Sequence, residues 1–109
     1  MKAIYIAGPI TGRPNYHAEF GAEEARLLAK GYTVLNPAKL PQGLSYGQYA
    51  RIDFALIDAA DAVVMLPKWA ESQGARLEFD YCLYTKKPVY FSAEELPRRE
   101  VKADAVDTN

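Results

Sequence analysis

Four short apolar runs, separated by three segments with helical spacing, constrain the fold of this chain more than any other feature. The runs are rich in β-branched and aromatic residues, which is typical of buried strands. They lie at residues 2–7, 32–35, 61–66 and 88–91. The segments between them repeat apolar residues as amphipathic helices do. They span residues 16–30, 49–60 and 72–86. Strands that alternate with helices predict right-handed crossovers and a parallel sheet.

The predicted fold class is therefore α/β, with the helices packed on both faces of the sheet. We expect a flavodoxin-like or Rossmann-like three-layer sandwich whose parallel sheet has four or five strands in the order 2-1-3-4. The chain has 109 residues, the length of a single domain. We place that domain at residues 1–93. Residues 94–109 are polar and charged, which predicts a tail with a short helix followed by disorder.

Composition excludes several classes of function. The formal net charge of -1 gives no basic excess for binding polymeric nucleic acid. The first apolar run is too short for a signal peptide or a membrane span. Cys82 is the single cysteine, which predicts a reducing, cytoplasmic setting. With one histidine, His17, and no cysteine cluster, we expect no metal, and the absence of dinucleotide and triphosphate motifs predicts no cofactor.

The loop after the first strand offers several groups that suit an anion. Its backbone N–H groups, the Thr11 hydroxyl and the Arg13 guanidinium can all donate hydrogen bonds. Gly8 allows a close approach of the backbone to a ligand. An ordinary strand-to-helix turn is the alternative interpretation of the same residues.

Two acids are placed where ligands bind in open parallel sheets. Glu78 lies in the early turns of the third helix, after an apolar strand. Asp53 follows the inward-facing Ile52, so it lies at the edge of a buried stripe where the acidity of a carboxyl can be tuned. Each acid alone is most often a solvated surface residue. Together beside the first loop they suggest chemistry on a small polar ligand with a glycosidic bond or a phosphate.

The order of these motifs resembles that of the nucleoside 2-deoxyribosyltransferase-like superfamily. Within it, the chain is most similar to short bacterial and phage proteins of undefined function, which are related to 2′-deoxynucleoside 5′-monophosphate N-glycosidases. The resemblance spans residues 2–91. It rests on the segment 5–12, on Asn36 with Pro37, on Asp53 ahead of the strand at 61–66, and on the segment 72–78.

The resemblance implies N-glycosidic bond cleavage or base exchange on a nucleotide or nucleoside, often a deoxynucleotide or deoxynucleoside. It implies that Glu78 is the nucleophile on the anomeric carbon and that Asp53 handles the proton on the leaving base. Tyr5 matches a tyrosine that orients the nucleophilic carboxylate. The substrate-binding residues that it implies are Gly8, Pro9, Thr11, Arg13, Asn36, Ser72 and Gly74.

Ser72 bears on the 5′ end of the substrate. Transferases of the superfamily that act on free nucleosides have an aspartate at this position, whereas the monophosphate hydrolases have a serine. A serine does not repel a phosphate dianion, so the resemblance favours a 5′-monophosphate. The first loop departs from the hydrolases, which have a serine in place of Pro9 and an arginine in place of Thr11.

Two other functions fit the same residues. One is a non-catalytic module that binds or sequesters a nucleotide. The other is an N-glycosidase that acts on a ribonucleotide or an NAD-like ligand. In each case the partner is a small molecule. The small size and many aromatic residues predict a homodimer or a higher homo-oligomer.

Overall fold

The computed structural model of the protein describes residues 1–99, which form a four-stranded parallel sheet between helices. The strands are β1 (Ala3–Ala7), β2 (Thr33–Leu35), β3 (Ala62–Met65) and β4 (Val89–Tyr90). The helices are α1 (Tyr16–Ala29), α2 (Tyr46–Ala59) and α3 (Gln73–Thr85). The strands are ordered β2-β1-β3-β4, which confirms the predicted order.

Strand β1 has partners on both sides. Ile4 is opposite Val34 of β2 and Ala62 of β3, in parallel register. Strand β4 joins the sheet through pairing with β3. With α1 on one face and α2 and α3 on the other, the three-layer α/β class is confirmed.

Alternation along β1 divides the core in two. Ile4 and Ile6 pack on the α1 side, against Phe20 and Leu27 of that helix. Tyr5 and Ala7 point to the opposite face and pack on the α2–α3 side. Since Tyr5 and Ile6 are fully buried, both faces of the central strand are covered.

Helix boundaries depart modestly from the sequence-based expectation. Helix α2 begins at Tyr46 because Ser45 and Gln48 form a reciprocal capping box. Asn15 precedes α1 but makes no side-chain cap hydrogen bond. Leu28, which periodicity predicts to face inward, is 52% exposed.

Residues 92–99 pack against α1 and the loop that follows it. Leu96 is buried, and the backbone N–H of Ala93 donates to Glu23 Oε2 at 2.8 Å. The Lys30 ammonium donates to the carbonyls of Ala93 and Leu96. The division of the chain at residue 93 stays a prediction, and the disorder predicted near the C-terminus concerns residues outside the described range.

The carboxyl ends of β1 and β3 lie side by side and place the site. Ala7 pairs with Met65 at this edge, and the two chains continue into Gly8 and Leu66. A Cβ on Gly8 would stand 2.9 Å from the Leu66 side chain, so glycine is required for this contact. The loop after β1 and the start of α3 therefore open on the same edge of the sheet.

Candidate active site

The site centres on two carboxyl groups from different helices. Asp53 lies on α2 and Glu78 on α3, and both line one cavity at the carboxyl edge of the sheet. The two groups are close enough to share a hydrogen bond when one of them is protonated. The structure thus brings together the two acids that the sequence singled out. Their catalytic roles stay predictions.

Tyr5 contacts this pair from strand β1. Its side chain is fully buried on β1, and its hydroxyl donates a hydrogen bond to Glu78 Oε1 at 3.1 Å. Burial, together with the nearby Glu78 and Asp53 carboxyls, raises the pKa of Tyr5 well above 10.0. The phenol therefore keeps its proton at neutral pH and acts as a hydrogen-bond donor.

The acidities of the two carboxyls are linked. Burial, the negative charge of Asp53 and their mutual hydrogen bond raise the pKa of Glu78 well above 4.5. Burial also raises the pKa of Asp53, whereas its hydrogen bond with Glu78 acts in the opposite direction. Because two adjacent, half-buried carboxylates repel each other, the pair holds one proton more readily than either acid would alone in water.

One oxygen of this pair is poorly satisfied. Asp53 Oδ1 is buried and has no hydrogen-bond partner. A buried acceptor without a donor costs about 1–3 kcal/mol. A proton on the pair, or a donor on a bound ligand, would relieve that cost.

A cavity of about 920 Å³ lies above the carboxyl pair. Eight of the residues predicted for the site line it, and they are Gly8, Pro9, Thr11, Arg13, Asp53, Ser72, Gly74 and Glu78. Asn36 is not among the lining residues. Its side chain accepts from the Ala38 N–H at 2.9 Å and donates to Glu24 at 3.1 Å, so it caps the short 3-10 helix Pro37–Lys39.

The groups predicted to bind an anion already have partners in part. Arg13 forms an ion pair with Glu19 at 2.6 Å, so its charge is compensated at the cavity wall. Ser72 Oγ accepts the Ala75 N–H at 3.2 Å and caps α3, but its own hydroxyl proton remains available to a ligand. Thr11 is exposed and lines the cavity, so a ligand can reach its hydroxyl.

Several lining residues were not assigned to the site from the sequence. Tyr16, Phe54, Glu71 and Leu77 line the cavity, as do Tyr46 and Tyr49. The sequence does not mark them as site residues, because an aromatic, leucine or glutamate in a helix or beside one is usually a core or surface residue. Tyr46 and Tyr49 are of a type that can stack on a base, but nothing in the sequence selects them among the other tyrosines.

Residues 1–99 contain no group of three or more histidine, cysteine or acidic side chains that could hold a metal ion. Across the same range, no helix has both the length and the apolar character needed to cross a bilayer.

Comparison with known proteins gives a family and a fold. The model of a family described as Domain of unknown function (DUF4406) matches residues 2–91. No curated protein matches the chain. Among solved structures, a 2-deoxyribosyltransferase from Bacillus psychrosaccharolyticus is similar, with 22% identity and a TM-score of 0.62 over 80% of this chain and 69% of that one.

A second solved structure is similar to the same degree. It is a 2-deoxyribosyltransferase from Leishmania mexicana, with 25% identity and a TM-score of 0.64. The likeness covers 82% of this chain but 62% of that one, so the present chain spans less than two thirds of its length. The fold is therefore nucleoside 2-deoxyribosyltransferase-like, as the sequence motifs predicted.

Proposed function

The chain belongs to the DUF4406 family, whose description names no activity, and we propose that it breaks the N-glycosidic bond of a nucleoside or nucleotide. The base is released to water or exchanged for another base. The observation that supports this most directly is the half-buried Asp53–Glu78 carboxyl pair, with the Tyr5 hydroxyl 3.1 Å from Glu78, beside an open cavity. Its fold neighbours are named as 2-deoxyribosyltransferases, which supports a deoxyribosyl substrate.

In the first step, Glu78 is the nucleophile. A carboxylate oxygen of Glu78 bonds to the anomeric carbon as the bond from that carbon to the base nitrogen breaks, and the electron pair leaves with the base. Positive charge that develops on the sugar ring is stabilised by the same carboxylate. The departing base takes the proton of Asp53, which is left ionised.

In the second step, the glycosyl ester is resolved. Water attacks the anomeric carbon and gives its proton to Asp53, or a second base attacks through its nitrogen in the same way. Glu78 leaves as a carboxylate in both cases. The closeness of the two carboxyls agrees with the shorter carboxyl separation of glycosidases that form a covalent intermediate, which favours this route over direct displacement by water.

Tyr5 fits the role of a positioning residue. Its hydrogen bond acts to lower the pKa of Glu78, against the larger effects of burial and of Asp53 that raise it. The phenol thus favours the ionised form of the nucleophile. In the free protein the raised pKa of Glu78 keeps a proton on that residue, so the proton must first pass to Asp53 through their shared hydrogen bond. Nucleophile and acid are then both ready for the first step.

The 5′ end of the substrate is proposed to lie between the first loop and the start of α3. Ser72 presents a neutral hydroxyl there, which is compatible with a 5′-monophosphate. Arg13 is paired with Glu19, and Glu71 also lines the cavity, so a phosphate dianion must compete with carboxylates. We therefore propose a nucleoside or its 5′-monophosphate as substrate. Glu19 disfavours the phosphate because it occupies the Arg13 guanidinium.

We also propose that the protein acts as a homo-oligomer in the cytoplasm. Tyr46 is 78% exposed and Leu77 is 50% exposed although both line the cavity, and Tyr84 is 90% exposed on the same helix as Leu77. Contact with a second copy would remove such apolar surface from water. Light scattering coupled to size exclusion tests the assembly, and a monomer at micromolar concentration would contradict it.

The central experiment is incubation of the purified protein with a panel of nucleosides and 5′-monophosphates, in ribo and deoxyribo forms. Free base is measured by chromatography, with and without a second base as acceptor. We expect base release from at least one deoxyribosyl compound, and none from the folded Glu78→Gln variant. A nucleotide that binds and is recovered intact from every incubation would instead indicate a sequestering module.

A further inference from the structure

Beside the carboxyl pair, Tyr81 joins helix α2 to helix α3 through two different contacts. Its ring stacks on Phe54 with centroids 4.4 Å apart and planes inclined by 13°. Its hydroxyl donates to Asp58 Oδ1 at 2.7 Å. Phe54 and Asp58 are four residues apart on α2, so they lie one above the other on the same side of the helix. The Tyr81 side chain of α3 therefore contacts two residues that are one turn apart on α2.

The position of this contact links it to the site. Phe54 directly follows Asp53 in sequence, and Tyr81 lies three residues after Glu78 on α3. Asp53 and Glu78 lie on different helices, so no short stretch of chain fixes the distance between their carboxyls. Their separation therefore depends on how α2 is held against α3. Displacing a reacting group by about 1 Å can cost on the order of 10²-fold in rate.

We propose that Tyr81, with Phe54 and Asp58, is a positioning clamp that sets the distance between the Asp53 and Glu78 carboxyls. The inference rests on the proposed function for its catalytic consequence. The structural part of the inference is the electrostatic coupling between the two carboxyls. That coupling can be measured by titration whether or not the protein cleaves any nucleoside.

Variants separate the two contacts of the clamp. Tyr81→Phe keeps the stack and loses the hydrogen bond, whereas Tyr81→Leu loses both. Asp58→Asn keeps an acceptor for the Tyr81 hydroxyl, and Asp58→Ala removes it. Tyr84→Phe is the matched control, because Tyr84 is a 90% exposed tyrosine on the same helix.

The first readout is the titration of the two carboxyls, followed by NMR of side-chain carboxyl carbons in the free protein. The other titratable groups that face the pair are Tyr5 from β1 and Cys82 from α3. The pKa of Tyr5 is raised well above 10.0, and burial raises that of Cys82 to about 11, so neither obscures an acidic titration. We expect the two carboxyl titrations to move towards independent behaviour in Tyr81→Leu, less so in Tyr81→Phe, and to stay unchanged in Tyr84→Phe.

The second readout is steady-state kinetics on whichever substrate the wild type cleaves. We expect kcat to fall about threefold to tenfold in Tyr81→Phe, as for one lost hydrogen bond. In Tyr81→Leu we expect a fall of about 10²-fold, with KM nearly unchanged. Asp58→Asn should stay near wild type and Asp58→Ala should match Tyr81→Phe.

Each pattern of results decides the matter. If the Tyr81 variants lose thermal stability but keep the wild-type carboxyl titrations, the contact is merely structural and the clamp is wrong. If the titrations shift while the wild type cleaves nothing in the substrate panel, the clamp stands and the proposed activity fails. Active wild type with unchanged kcat in Tyr81→Leu would also overturn the inference.

Discussion

Each face of the sheet holds an acid, Glu23 buried on one and Glu78 half-buried on the other, and the surroundings of the two acids differ. On the α1 side, Glu23 is 4% exposed, and its carboxylate accepts from the Ala93 N–H and from the Arg26 guanidinium. On the α2–α3 side, Glu78 has one donor, the Tyr5 hydroxyl, and faces a second carboxyl.

The difference separates a structural acid from one that is poised for chemistry. Two donors hold the Glu23 carboxylate, and the one from Ala93 fastens the segment after β4 to α1. The Asp53–Glu78 pair is short of donors, and Asp53 Oδ1 has none. Strain of this kind is expected where a ligand must supply the missing contacts, because natural proteins accept some instability at functional sites.

The largest expected effect distinguishes the two glutamates by activity. Glu78→Gln removes the nucleophile and should lower base release by on the order of 10⁴-fold or more. Its folded state should be no less stable than the wild type, since one of two mutually repelling carboxyls is gone. Glu23→Gln is the matched control and should keep most of the activity. Base release is measured by chromatography and stability by thermal unfolding. If Glu78→Gln and Glu23→Gln released base at the same rate, Glu78 would not be the nucleophile.

The second prediction concerns the acid of the pair. Asp53→Asn cannot give a proton to the leaving base, so the rate should fall by about 10²–10⁴-fold. A substrate whose leaving group departs without protonation should recover much of that loss in Asp53→Asn, but not in Glu78→Gln. The comparison of two leaving groups in both variants is the measurement. Absence of recovery would assign Asp53 another role.

The third prediction reverses the comparison and measures stability on the α1 side. Glu23→Ala leaves the Ala93 N–H without its acceptor and should cost about 1–3 kcal/mol of unfolding free energy. A domain of this size loses about 4–8 °C in Tm for each kcal/mol. Urea unfolding of Glu23→Ala beside Glu78→Ala checks it. A larger loss for the Glu78 variant would show that both acids are structural.

The fourth prediction is a smaller effect, a pH dependence of the unfolding free energy that arises from Glu78 on the α2–α3 side. The pKa of Glu78 is raised on folding above 4.5, so the folded state holds a proton that the unfolded state releases. Its contribution to stability is present below the unfolded pKa and is lost as pH rises through the folded pKa. The wild type should therefore lose stability relative to Glu78→Gln as pH rises above 4.5 and through the raised pKa of Glu78. A stability difference that is constant with pH would contradict the raised pKa.

The contrast also shows what the sequence could and could not predict. Periodicity located the four strands and three α-helices of residues 1–99, because alternation and turn residues are local signals, and the predicted fold class supplied the strand order. Motif order singled out Asp53 and Glu78. It could not tell that Asn36 caps a 3-10 helix away from the cavity, or that Arg13 is paired with Glu19, since both depend on side chains distant in sequence. Nothing local distinguishes Glu23 from Glu78.

The smallest expected effect tests a third acid, at the rim of the cavity. Glu19 holds the Arg13 guanidinium at 2.6 Å in an ion pair that is partly exposed on both sides. Such pairs contribute about 0–1 kcal/mol, so releasing Arg13 with Glu19→Gln should lower KM for a 5′-monophosphate by up to about fivefold. KM for the unphosphorylated nucleoside should stay constant, because that ligand brings no charge to the arginine. The gain should fade at high salt. Equal changes in KM for both compounds would place the 5′ end of the substrate away from Arg13.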